Sequence, residues 1–241
     1  MPVIDMKDTS VFFEDGYREA GAINLMAGYT AGVTTIVVDG FVGVVPVNAR
    51  LDIDGDDRYQ VVSTIETSGN TTSITFTPAL AAAVSDNDIV LVYGRFVEIK
   101  VGEGSISWSE KKPREYKKDR GRLDQVRNAD EEPVDVTMSF SYEYLVASDP
   151  MTDPPTPQEI LKRINGAANW ISSETNDPCA PYAIDVRFEW TPTGCTDPET
   201  ERVILPAFRY EQLDFNPKEG TISCTGKCNS TVATVTRFNR V

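Results

Sequence analysis

A mainly β chain, with one flanking helix and a small all-β module inserted into it, is what this sequence predicts. Three observations carry that prediction. Runs of β-branched and aromatic residues recur between Gly, Asn, Asp and Pro turn signals. Long polar–apolar alternations occupy 134–145 and 182–190, the spacing of strands with one covered face. Helical spacing with a start signal occurs at 156–171. At 241 residues the chain has room for one large β domain or two smaller ones.

In chain order, a short strand is expected at Thr9–Glu14. Residues 28–94 then read as a separate small β domain, with runs at 34–40, 49–55, 58–62, 71–78 and 88–94. Gly40, Gly43 and Gly55 read as turn residues, and "ALAAAV" (79–84) predicts one helical turn. The flanking segments 1–27 and 95–241 form the core domain. Within it, 95–111 gives two alternating runs joined by "GEG", a hairpin pattern, followed by a loop of roughly twenty residues ending at Pro133. In the next strand, Val134, Val136, Met138, Phe140, Tyr142 and Tyr144 share one face. After a Pro-rich break, Thr156 is placed to cap the helix, with Pro157 at its first position and Glu159 completing a capping box. Ile160, Leu161, Ile164 and Ala168 form its apolar stripe. Three strand regions close the chain, at 182–190, 202–215 and 220–238. In the first, Ile184, Val186, Phe188 and Trp190 make an apolar face and Asp185, Arg187 and Glu189 a polar one.

Composition narrows the function. Histidine is absent, which removes His-based triads, His metal ligands and His general bases. The formal net charge of −14 argues against tight nucleic-acid binding, because phosphate affinity comes from Lys and Arg. No charged-then-apolar leader opens the chain and no long apolar window crosses a membrane, so assembly in the cytoplasm is the expectation. The cysteines are Cys179, Cys195, Cys224 and Cys228. Along a strand, four residues span about 13 Å, too far for Cys224 and Cys228 to share a disulfide or a tetrahedral metal. Buried unpaired thiols, a Cys179–Cys195 disulfide and a metal site stay open as readings, with no metal or other cofactor expected. The acidic run "DIDGDD" (52–57) lacks the length and terminal Glu of a calcium loop and reads as a solvated turn.

The charge is unevenly spread. "KKPREYKKDRGRLDQVR" (111–127) holds eight basic residues against three acids. Since the chain has 23 basic and 37 acidic residues, the remainder carries 15 against 34, a net −19. As a nucleic-acid patch the stretch is weak, since acids at 115, 119 and 124 break its field and only Tyr116 interleaves. As an arm for an acidic partner it is well suited. Lys111, Lys112, Arg114, Lys117, Lys118, Arg120, Arg122 and Arg127 supply charge, and Tyr116, Leu123 and Val126 supply apolar contact. A second copy of this acidic chain offers the matching surface.

The segments "VEIKVGEGSISWSEKKPREYKKDRGRLDQVRNADEEPVDVTMSFSYEYL" (97–145), "DPCAPYAIDVRFEW" (177–190) and "ILPAFRYEQLDFNPKEGTISCTGKCN" (204–229) together resemble tail tube proteins of long-tailed bacteriophages. The resemblance implies a β-sandwich or barrel with one flanking helix, and no enzymatic activity. Its long strands would join across six subunits into a ring, and rings would stack around the tape measure protein into a tube. The charged loop would reach the adjacent ring. Tail terminator and distal tail or baseplate proteins would be the partners at the two ends, and double-stranded DNA would pass without specific binding along an acidic wall. Asp135, Ser139 and Glu143 are the lumen-facing candidates, and the 28–94 module would lie outside, since a domain of that size would obstruct the channel. Two other readings remain: a terminator or baseplate ring on the same core, and a carbohydrate-binding β protein.

Overall fold

The computed structural model describes residues 9–67, 71–99, 104–141, 155–174, 179–190 and 199–239. The protein is mainly β, with a single α-helix among the described residues. It divides into two units: a continuous one, Glu14–Phe96, and a discontinuous one made of Met1–Phe13 and Val97–Val241. Strand β1 (Thr9–Glu14) leads into the continuous unit. That unit therefore begins at Glu14, not at residue 28. The reason is β2 (Glu19–Ile23), a strand the sequence reading did not recognise, whose "EAGAI" has little β-branched character.

The continuous unit is a closed antiparallel barrel of six strands. After β2 come β3 (Thr35–Asp39), β4 (Ala49–Ile53), β5 (Asp56–Thr67), β6 (Thr71–Thr77) and β7 (Ile89–Ile99). They run β2-β3-β6-β5-β4-β7, and pairing of Glu19–Ala22 with Ile89–Val92 closes the circle. Closure leaves the barrel no free sheet edge. Alternation does the packing: Thr72, Ile74 and Phe76 of β6 are buried while Thr71, Ser73 and Thr75 are half-buried, and Ile36, Val38, Leu51, Val61 and Val90 complete the interior. The acidic run at 52–57 is the β4–β5 turn. Asp54 and Gly55 both have positive φ, as a two-residue hairpin turn of the primed type requires, and the Gly55 N–H donates to Asp52 Oδ1 at 2.8 Å. The helical turn expected at 79–84 does not form. Its backbone bonds to the barrel instead, Leu80 N–H to Val33 O and Val84 in a bridge with Tyr29, and this buries Leu80 and Val84.

The discontinuous unit contains β8 (Ser105–Ser109), β9 (Arg114–Asp119), β10 (Arg122–Asn128), β11 (Val134–Ser141), α1 (Pro157–Lys162), β12 (Ile184–Trp190), β13 (Glu199–Asn216), β14 (Thr221–Cys228) and β15 (Thr234–Asn239). Its ladder runs β1-β12-β13-β14-β11-β8, with β15 also on β13. Among the described residues the hairpin expected at 95–111 is not seen: β8 pairs with β11, and no pairing with β7 occurs there. Val134, Val136, Met138 and Phe140 of β11 are all buried; Tyr142 and Tyr144 lie outside the described residues. They share one core with Phe13, Val186, Leu205, Phe208 and Ile222, and Phe140 lies edge-on to Phe13 at 6.2 Å between ring centroids. Gly226 permits a close approach of β14 to β13, since a Cβ there would sit 2.0 Å from Arg209 O.

The helix starts as its sequence says. Thr156 caps it, the Glu159 N–H donates to Thr156 Oγ1, and Glu159 Oε2 accepts from the Thr156 N–H at 2.9 Å. It stops early, after six residues. Arg163 turns left-handed at φ 52, the Ile164 N–H bonds back to Glu159 O, and a 3-10 turn follows at Asn165–Ala167. The stripe is corrected accordingly: Ile160 and Leu161 are buried, Ile164 is exposed, and Ala167 and Trp170 pack inward.

Candidate docking arm

The basic stretch is not a loop. Lys111–Arg127 contains most of a two-stranded antiparallel ribbon, β9 with β10, and neither strand pairs with any other among the described residues. Arg120 and Gly121, at φ 49 and 82, form its two-residue primed turn. The Ala129 N–H closes the base on Pro113 O. Charge-rich composition hides these strands from a propensity reading. The two-residue turn and the opposite charges placed across it are the signals that reveal them.

Register sorts the side chains onto two faces. One carries Glu115 opposite Arg127, Lys117 opposite Gln125, and Asp119 opposite Arg122. Opposite-charge pairs of this kind each stabilise a ribbon by about 0.2–1 kcal/mol. A bulge at Asp124 keeps the second face in phase. There Tyr116 lies opposite Val126, Lys118 opposite Leu123, and Arg114 opposite Asn128, to whose side-chain oxygen it donates. Every residue of both strands is exposed, including Tyr116 (59%), Leu123 (66%) and Val126 (57%). The arm thus presents three apolar side chains framed by cations, with nothing of its own chain over them among the described residues. A lone two-stranded ribbon is at best marginally stable in water. A covering surface would supply what it lacks.

The sequence-derived residues do not all act alike. Lys111 is engaged at the root of the arm, its Nζ 2.8 Å from Asp135 Oδ2 and 3.3 Å from Glu132 Oε2. Hydrogen bonds to Asp135 and then Glu132 raise the Lys111 pKa, and the bond to Lys111 lowers that of Asp135. Ser139, on the same side of β11 as Asp135, accepts from the Ser105 N–H at 3.1 Å. The third lumen candidate, Glu143, lies outside the described residues, as does Cys195, the suggested partner of exposed Cys179. Cys224 and Cys228 are free and buried on the core side of β14, and burial pushes both thiols up to about 12.

One cluster escaped the sequence reading. Most of the polar face expected on β12 is buried: Arg187 is 3% and Glu189 5% exposed, while Asp185 is half-buried. Glu189 Oε1 accepts from Arg187 Nη1 and from Arg202 Nη2 at 2.7 Å, Arg202 being the cross-strand partner of Glu189 on β13. The Arg187 guanidinium also lies over the Phe12 ring, 4.2 Å from its centre. Alternation told that these residues share a face but not that the face is covered.

No protein-family model matches the chain, and no curated protein or solved structure matches it either.

Proposed function

We propose that this chain is a structural, non-enzymatic tail tube subunit of a long-tailed bacteriophage, assembling as stacked hexameric rings. The observation that carries the reading is the β9–β10 arm: a ribbon whose every strand residue is exposed, with a cationic and apolar face on an otherwise acidic protein. Charge of this sign and placement serves association with another copy, and donor and acceptor surfaces that differ give head-to-tail contacts that extend. A second feature supports ring formation. Strand β8 ends its ladder, paired only with β11 among the described residues, and an unpaired edge is a template for a neighbouring strand. In this reading the tape measure protein occupies the channel before DNA does, and the terminator and distal tail proteins close the two ends. The 28–94 segment stays outside the tube.

Negative-stain images of the purified protein test the reading. Rings and tubes are expected. The combined change Lys117→Glu, Lys118→Glu, Arg120→Glu and Arg122→Glu is expected to leave rings or single subunits in place of tubes. Normal polymerisation of that variant at physiological salt would remove the arm from the mechanism.

A further inference from the structure

The continuous unit carries an apolar surface that its barrel does not need. Between β3 and β4, residues 40–48 form a loop whose Phe41 and Val45 are buried, while Val42 (98%), Val44 (67%) and Val47 (47%) stand exposed. The loop is held in place from both ends. Glu19 accepts from the Val42 N–H at 3.1 Å and the Gly43 N–H at 2.9 Å, Thr64 Oγ1 donates to Val45 O at 3.1 Å, and the Asn48 N–H donates to Val61 O at 2.9 Å. These last two bonds lay the loop along β5, where Val62 sits at a bulge and is 49% exposed. A fixed backbone displaying four exposed valines within one loop and its neighbouring strand has the character of a contact patch, because it loses little entropy when covered.

Charge selects the occupant. Residues 14–96 contain eleven acids and four arginines, a net of −7, and no lysine. All four arginines are paired within the unit: Arg18 with Glu14, Arg50 with Glu14 and Asp57, Arg58 with Asp56, and Arg95 with Asp15. The unit is anionic overall and its four cations are already engaged, so for its apolar patch a second barrel is a poor match and a cationic, apolar surface a good one. The β9–β10 face, with Tyr116, Leu123 and Val126 between Arg114 and Lys118, is such a surface. We propose that the arm of one copy docks on the Val42–Val47 loop and Val62 of the barrel unit of another copy. This rests on the self-assembly reading above and names the acceptor within it.

Trans crosslinking tests it. Leu123→Cys and Val44→Cys are made in separate molecules, mixed in equal amounts, and treated with a short bismaleimide. Each variant alone serves as control for links through exposed Cys179. A covalent dimer in the mixture, at least about tenfold above either control, is the expected result for residues meeting at an interface centre. A mixture no different from the controls overturns the proposal. The companion variant Val42→Asp with Val44→Asp changes only exposed side chains, so its folding is checked by circular dichroism. It is expected to block tube growth as the arm reversal does. If it polymerises normally while the arm reversal does not, the arm docks elsewhere: this inference falls and the tail tube reading survives. If both polymerise normally, the arm plays no part in assembly.

Discussion

Replacing Glu189 by Leu removes the acceptor shared by two buried guanidinium groups. In the folded unit, Arg187 and Arg202 would then face each other across β12 and β13 without that carboxylate between them. Breaking a buried ion pair on one side costs about 3–5 kcal/mol, because the remaining charge stays desolvated. At the size of the discontinuous unit, 1 kcal/mol corresponds to roughly 2–4 °C, so its midpoint should fall by roughly 6–20 °C. The protein provides its own probe. Trp108, Trp170 and Trp190 all belong to the discontinuous unit and residues 14–96 contain no tryptophan, so tryptophan fluorescence follows that unit alone. Far-ultraviolet circular dichroism follows both units. The expected result is a large shift by fluorescence, with the barrel's part of the dichroism transition unmoved. Replacing all three, as Arg187→Met, Glu189→Leu and Arg202→Met, should restore or exceed the original midpoint, since apolar triads of similar volume are often neutral or stabilising by about 1–4 kcal/mol. A loss below about 1 kcal/mol for Glu189→Leu would refute the assignment of these charges to a desolvated site.

Four further outcomes are expected. Thr156→Ala should cost about 1 kcal/mol in the same fluorescence-monitored unfolding, the usual value of an N-cap. Burial works to raise the pKa of Glu159, but its bonds from the Thr156 N–H, Asn165 and the Thr156 hydroxyl prevail and lower it. Its contribution is therefore complete above the ordinary carboxylate pKa of about 4.3 and is lost as pH falls through the lower folded value; Glu159→Gln should flatten the acid limb of the stability profile. Gly121→Val puts a β-branched residue at φ 82, so amide exchange should accelerate throughout 114–128 while the fluorescence midpoint stays put. Cys224 and Cys228, with thiols near 12, should resist maleimide at pH 8 in the native protein and react on unfolding, whereas rapid native labelling would contradict their burial.

How far the sequence reached depended on the kind of signal. Strands of the barrel could be read because Ile, Val and Thr alternate at 35–39 and 71–77 with turn residues between them. Strand β2 could not, because "EAGAI" owes its conformation to pairing with β3 and β7 and not to propensity. Thr156 and Glu159 marked the helix start, since a capping box is local chemistry; its end at Arg163 was missed because the apolar spacing continues through Ile164. The arm's composition was plain and its ribbon form was not. Lys, Glu and Asp are poor strand formers, and β9 is held instead by cross-strand charges and a two-residue turn. Burial of Arg187 and Glu189 is a tertiary fact: two-residue periodicity tells which side chains share a face, and what covers that face comes from elsewhere in the chain.

Strand β14 bears on how the discontinuous unit would respond to force. All eight of its residues are laddered on both sides, to β13 through Asn216–Phe208 and to β11 through Ser141–Val134. A force along the strand would load both ladders in shear, so their hydrogen bonds would have to yield together and not one at a time. Strands β8 and β15, each held on one side only among the described residues, would peel first. The discontinuous unit is therefore built with a stiff centre and compliant margins. Tension along the sheet would be borne by β11, β13 and β14, while the edge strands could give and re-form without loss of the core.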